Sequence, residues 1–238
     1  MTALLHLADT YRREMSATVV GVEGRGIVLD RTVFYPQGGG QPGDSGLLST
    51  AAGEVPITVA SYSSDRSAVL HMAAEGASLP GIGETVVGRI DWPQRLARMK
   101  MHTALHLLSV VLPYPVTGGS VGDGDGRVDF DMPEGGLDRG DIETKLRGFV
   151  ARDAAVGTRW ITDEELLANP GLVKTMKVKP PMGTGRIRLV EIDGIDLQPC
   201  GGTHVARTGE IGRIDVTGIE KKGRQNRRVR IALGSPRE

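Results

Sequence analysis

Residues 91–113 read DWPQRLARMKMHTALHLLSVVLP, and the change of pattern inside this stretch decides the fold. Pro93 suits a first helical turn, where its missing N–H would find no helical partner anyway, and Asp91 stands close to a cap. Leu96, Met99, Leu107, Leu108 and Val111 then recur at helical spacing until Pro113 ends the run, so a helix is predicted over 93–112. Upstream the chain reads differently. Short runs rich in Val, Ile and Thr at 17–22, 27–30, 57–62, 69–72 and 85–90 are separated by turn signals such as Gly24-Arg25-Gly26. Short strands so spaced predict a small β-barrel. Residues 35–46 (YPQGGGQPGDSG) interrupt it as a loop. Downstream, a second helix is predicted over 137–155, with Asp141–Lys145 and Glu143–Arg147 pairs on its surface. Strands are expected at 127–132, 158–161, 186–192, 212–217 and 227–233. The expected fold class is α+β: an N-terminal β-barrel domain over 1–91, then a two-layer α+β domain over 92–238.

Composition narrows the function. Lys plus Arg is 29 and Asp plus Glu is 29, so a globally cationic DNA-coating protein is not expected. No run of about 18 apolar residues is present, so no membrane span is expected. The apolar patch at 4–7 has no basic flank, so no signal peptide is expected either. The single cysteine, Cys200, permits no intramolecular disulfide and fits a cytoplasmic location. Glycine is abundant, 34 of 238 residues, about twice the usual ~7%. With no collagen period, these glycines must serve turns or close approaches.

His102 and His106 stand at i and i+4 of the predicted helix, so both rings leave one face about a turn apart. Cys200 and His204 (PCGGTH) repeat the three-residue gap. Four of the six Cys and His residues fall into these pairs, with His6 and His71 outside. Cysteine and histidine are the preferred zinc ligands, so the conjunction points to a shared metal. Separately, the pair reads as polar surface and the cysteine as a small buried hydrophobe. A zincin peptidase is disfavoured, because Thr103 stands where His-Glu-x-x-His needs its glutamate. No P-loop is present, and the Asp123, Asp125, Asp129, Asp131 cluster lacks the calcium-loop glycine, Val128 standing there instead. Those aspartates read as turn residues leading into a strand whose Val128, Phe130 and Met132 face inward. Residues 221–230 (KKGRQNRRVR) hold six basic residues. Arg228 and Arg230 alternate with Val229 and Ile231, and so share a face able to meet successive phosphates; a solvated edge strand is the alternative.

Segments 34–44 (FYPQGGGQPGD), 102–108 (HTALHLL), 127–132 (RVDFDM), 196–205 (DLQPCGGTHV), 208–212 (TGEIG) and 221–233 (KKGRQNRRVRIAL) together resemble the AlaX family of alanyl-tRNA editing proteins. That family is related to the editing domains of alanyl- and threonyl-tRNA synthetases, and the chain resembles its medium-length type. The resemblance implies a translation-protein-like barrel joined to an α+β editing domain. It also implies a zinc-dependent hydrolase that deacylates tRNA(Ala) carrying a wrong amino acid, serine or glycine. A pocket for alanine rejects serine poorly, which is why such a correction is needed.

Carried over residue by residue, His102, His106, Cys200 and His204 become ligands of Zn2+. Thr103 and Cys200 become the catalytic candidates. Gln37, Gly39, Gly40, Gln41, Thr117, Gly119, Ser120, Gly201 and Gly202 become substrate-binding candidates, and Lys221, Lys222, Arg227, Arg228 and Arg230 phosphate contacts to the tRNA. For Gln37 and Gln41 a loop held by its own amide hydrogen bonds is the alternative. Three protein ligands would leave zinc an open position, whereas four would make a closed site as in structural zinc. A zinc hydrolase of small esters or amides and a tRNA-binding module with structural zinc are the competing readings. No DNA and no membrane partner is expected.

Overall fold

The computed structural model describes residues 1–132, 136–176 and 185–234. The chain divides into two compact units, Met1–Leu96 and Ala97–Glu238. The first contains β1 (Ala3–Leu4), β2 (Glu14–Glu23), β3 (Gly26–Leu29), β4 (Arg31–Thr32), β5 (Gly46–Thr50), β6 (Gly53–Tyr62), β7 (Val69–Ala73) and β8 (Thr85–Ile90). Six of these close a barrel in the order β2-β3-β7-β6-β5-β8, and β1 pairs in parallel with β4. Alternation fills it: along β8, Val86, Gly88 and Ile90 are buried while Thr85, Val87 and Arg89 are exposed.

The loop ahead of β5 is held by backbone pairing. Gly38 and Gln41 exchange N–H···O bonds of 3.1 and 2.9 Å, and Gly39 and Gly40 at its exposed tip have φ of 57° and 82°. Glycine is required again at Gly43, where a Cβ would lie 1.8 Å from the Ala60 carbonyl oxygen.

The helix α1 (Trp92–Val111) begins within one residue of its expected start, with the Gln94 N–H capped by Asp91 at 3.1 Å. The division between units falls inside this helix, not at Asp91, because Arg95 is locked into the first unit. Its guanidinium pairs with buried Asp44 and donates to the carbonyls of Thr10 (3.1 Å) and Val33 (2.7 Å).

The second unit continues with β9 (Val116–Val121), β10 (Asp125–Asp131), α2 (Arg139–Ala151), β11 (Val156–Ile161), α3 (Asp163–Ala168), β12 (Ile187–Ile192), β13 (Asp196–Pro199), β14 (Ile214–Lys221) and β15 (Asn226–Leu233). Two antiparallel sheets form, β14-β15-β10-β9 and β11-β12-β13. Helix α1 lies against the first: Gly126 of β10 has room only for hydrogen, since a Cβ would meet Met101 Sδ at 2.7 Å. Val128, Phe130 and Met132 are buried as expected. α2 carries the expected Lys145–Asp141 and Arg147–Glu143 pairs at 2.8 and 3.2 Å, and Arg147 also reaches Asp215 of β14 at 2.7 Å. Strands β1, β4, β5, β9 and β13 and the short helix α3 were not expected from the sequence. The candidates Thr117, Gly119 and Ser120 belong to β9, which pairs with β10. Among the described residues, no helix is long and apolar enough to cross a membrane.

Candidate metal centre

Residues 101–109 of α1 are buried on every side, so the helix carries two histidines, a threonine and a serine into the interior. Such groups must find partners there. His102 and His106 meet Cys200 and His204, which the turn after β13 brings to them. One ligand atom from each of the four lies within 4.8 Å of all the others. Cys200 Sγ stands 3.6 Å from His102 Nε2 and 3.4 Å from His204 Nε2. Those separations match the ~3.5 Å edge of a tetrahedron with metal–ligand bonds of about 2.1–2.3 Å. Three imidazoles and one thiolate therefore fit zinc in chemistry and in spacing.

The other ring nitrogens are tied down by the chain. Thr103 is fully buried; its hydroxyl donates to the Met99 carbonyl (2.9 Å), leaving the oxygen to accept from His204 Nδ1–H (3.1 Å) and the Val205 N–H (3.3 Å). That fixes the His204 tautomer and leaves Nε2 for the shared point. His106 Nδ1 lies 3.3 Å from Asp196 Oδ2 and 3.1 Å from Gln198 Nε2. Asp196 is itself held by Gln198 at 2.6 Å and by Lys174 at 2.5 Å. A carboxylate behind a histidine is the usual way proteins orient such a ligand.

Charge in the cluster is coupled. Burial lowers the His106 pKa, but the hydrogen bond to Asp196 and the neighbouring sulfur outweigh it and push it up to about 9. Burial, with the charges of His102 and His106, drives His204 down to about 3. Burial raises the Cys200 thiol, yet the charges of His102 and His204 bring it well below its ordinary value. Burial also raises Asp196, and the bond to His106 and the Lys174 ammonium overcome that, lowering it to about 2. The histidines are thus pulled in opposite directions, His106 upward and His204 downward, by burial and by one another's charges.

The turn between the ligands is clamped by Arg188 of β12, a buried residue whose Nη1 donates to the carbonyls of Cys200 (2.8 Å) and Gly202 (2.9 Å). The Gly202 N–H approaches Cys200 Sγ at 3.4 Å. Gly201 is exposed, and a Cβ there meets nothing within 4 Å.

Gln37, Gly39, Gly40 and Gln41 belong to the first unit, Gln37 exposed and Gln41 buried. Thr117, Gly119 and Ser120 lie on β9, where the Thr117 hydroxyl donates to the Asp129 carbonyl (3.2 Å) and accepts from Asn226 Nδ2 (2.7 Å). On β15, Arg228 and Arg230 share the outer face, while Arg227 alternates inward with Val229 and Ile231. Arg228 binds Asp129 through Nε (2.7 Å) and Nη2 (2.9 Å); Arg230 pairs with Glu220 at 2.6 Å and Lys222 with the same carboxylate at 3.1 Å. Lys174, Arg188, Asp196 and Gln198 were missed. Asp196 and Gln198 precede Cys200 by four and two residues, so a period-2 reading back from the cysteine puts them on its face.

Comparison with known proteins decides the family. The family described as the threonyl and alanyl tRNA synthetase second additional domain matches residues 187–230, and that described as tRNA synthetases class II (A) matches 3–94. The alanyl-tRNA editing protein AlaX-M of Saccharolobus solfataricus is 34% identical, over 96% of this chain and 98% of its own. The chain belongs to the AlaX family of alanyl-tRNA editing proteins. AlaX-M of Methanosarcina mazei is likewise 34% identical, over 98% of this chain and 97% of its own. The alanine–tRNA ligase of Korarchaeum cryptofilum is 37% identical over 99% of this chain, which spans 26% of the ligase. The same two-unit sequence thus recurs in AlaX proteins and inside a much longer ligase.

Proposed function

We propose that this AlaX protein is a zinc-dependent deacylase that clears wrongly charged tRNA(Ala), chiefly the seryl and secondarily the glycyl ester, in the cytoplasm. The observation that carries the reading is the convergence of His102, His106, Cys200 and His204 in a chain of this family. When bound, zinc supplies an electrophile that polarises the ester and favours ionisation of a nearby water. The chain's own residues hold everything else in place. Thr103 acts as a positioning residue for His204, and Asp196, backed by Lys174, for His106. Arg188 holds the carbonyls of Cys200 and Gly202, so the turn that carries the thiol keeps its place. Sparing alanine requires a partner for the hydroxyl that only serine carries, because such a partner is left unpaired by alanine.

The β14–β15 hairpin is the proposed phosphate-binding surface. Lys221 and Lys222 stand at its exposed end and Arg228 and Arg230 on its outer face, while Arg227 braces the turn through the Gly223 carbonyl at 3.2 Å.

The test is direct. Purified protein is incubated with seryl-, glycyl- and alanyl-tRNA(Ala), and release of the amino acid is followed. The seryl ester should be lost and the alanyl ester spared. Release from none of them rejects the proposal, and equal hydrolysis of free seryl esters without tRNA replaces it with a small-ester hydrolase.

A further inference from the structure

The pairing of β11, β12 and β13 determines which side chains share a face with the thiol. Trp160 of β11 is directly opposite Arg188 of β12. β12 pairs with β13 so that Leu189 faces Pro199, and one further step in that register sets Cys200 opposite Arg188. There the Cys200 N–H donates to the Arg188 carbonyl at 3.1 Å. Directly opposed residues point to the same side of a sheet. Trp160, Arg188 and Cys200 therefore form one row across three strands. The alternate residues turn the other way: Ile161, Ile187 and Leu189 pack with Leu166 of α3. At about 4.8 Å per strand, the backbone of Trp160 stands two steps, roughly 10 Å, from that of Cys200.

β11 is an edge strand, and Trp160 is 43% exposed there, where edges ordinarily carry charge. Among the described residues it is the one aromatic side chain left largely open to solvent. The Arg186 guanidinium lies 5.2 Å from its ring centroid. An open ring backed by a guanidinium is how proteins hold unpaired nucleotides, the base stacking on the ring and the phosphate meeting the cation.

We infer that Trp160 is the stacking surface for the terminal base of the tRNA acceptor end, with Arg186 meeting the adjoining phosphate. The inference rests on the editing reading and specifies how that site takes its substrate: the row spans one nucleoside, its ester at the Cys200 end and its base at the Trp160 end. Stacking needs no base-specific hydrogen bonds, which suits an acceptor end whose terminal sequence is common to all tRNAs.

Wild type, Trp160→Ala and Trp160→Phe are compared for release of serine from seryl-tRNA(Ala), with zinc content measured in each. Binding of deacylated tRNA(Ala) and of the trinucleotide CCA is read by quenching of indole fluorescence in a Trp92→Phe background. Trp160→Ala should lower kcat/KM about tenfold or more, mainly through KM and with zinc retained, and Trp160→Phe should recover most of the loss. CCA should quench Trp160. Unchanged kcat/KM in Trp160→Ala, a loss that Trp160→Phe does not repair, or no quenching by CCA each overturns the inference. A wild-type protein that releases no serine, yet is quenched by CCA, overturns the editing reading and leaves the stacking surface standing.

Discussion

The two units bury histidine in two different ways. In the barrel, His71 is completely enclosed, and both its nitrogens have protein partners: Nδ1–H donates to the Ile27 carbonyl at 2.9 Å and Nε2 accepts from the Thr32 hydroxyl at 2.7 Å. In the second unit, His106 and His204 are nearly as buried, and oxygen or nitrogen partners hold their Nδ1 atoms. Their remaining nitrogens, with His102 Nε2, gather around the Cys200 sulfur. Burial does not separate the two cases. The use of the second nitrogen does: one ring is saturated by oxygen partners, and three rings share a point that suits a soft cation.

Removing the sulfur is the strongest way to break this contrast. Cys200→Ala should lower zinc affinity by more than the roughly 100-fold that losing a ligand's hydrogen-bond partner costs, and serine release should vanish with it. Metal analysis of the purified variant and the deacylation assay read the two outcomes. Full activity in a metal-free Cys200→Ala protein would show that the cluster is only packing, as His71 is.

Much of this was readable locally. The helix that carries His102 and His106 is bounded by Pro93 and Pro113, and the spacing inside it already put both rings on one face. Five of the six barrel strands showed as Val/Ile/Thr runs between turns, and β5 did not. What escaped depends on partners distant in sequence. β9 reads VTGGSV, and two glycines look like a loop until five residues of β10 pair beside it. β13 is four residues long and ends in proline, too short to show its alternation, so Asp196 and Gln198 went unnoticed although Cys200 continues their face. Arg188 and Trp160 join the thiol only through the register of three strands, and Lys174 only by reaching Asp196. Arg227 is a different case, since alternation along β15 by itself sets it apart from Arg228 and Arg230.

Asp196 sharpens the comparison from the other side. If a single tied nitrogen is what makes a buried histidine a ligand, weakening that tie should weaken metal binding without unfolding the unit. Asp196→Asn keeps the shape and removes the charge facing His106. Zinc affinity, measured by competition with a chromophoric chelator, should fall about 10- to 100-fold. An unchanged affinity would mean that packing alone orients His106.

His71 offers the smallest effect and the cleanest sign. Burial lowers its pKa from the ordinary 6.5 to about 4, so the folded barrel holds the ring neutral. The unfolded chain takes up a proton as pH falls below 6.5, and the folded one does so only near 4. The stability from the neutral ring is thus fully present above pH 6.5 and is lost as pH falls toward 4. By pH 5.5 the loss is about 1.4 kcal/mol, a tenfold shift in the folding equilibrium. His71→Gln should be less stable at pH 7, because the two hydrogen bonds are disturbed, but its urea midpoint should fall less between pH 7 and 5.5 than that of the wild type. The measurement uses metal-free protein of both variants, so metal binding adds no pH dependence and the titration of the second unit's cluster contributes equally and cancels in the difference. Equal slopes would mean that the enclosed ring takes up its proton over the same pH range in the barrel as in the unfolded chain, and the distinction between a saturated histidine and a ligand histidine would then rest on geometry alone.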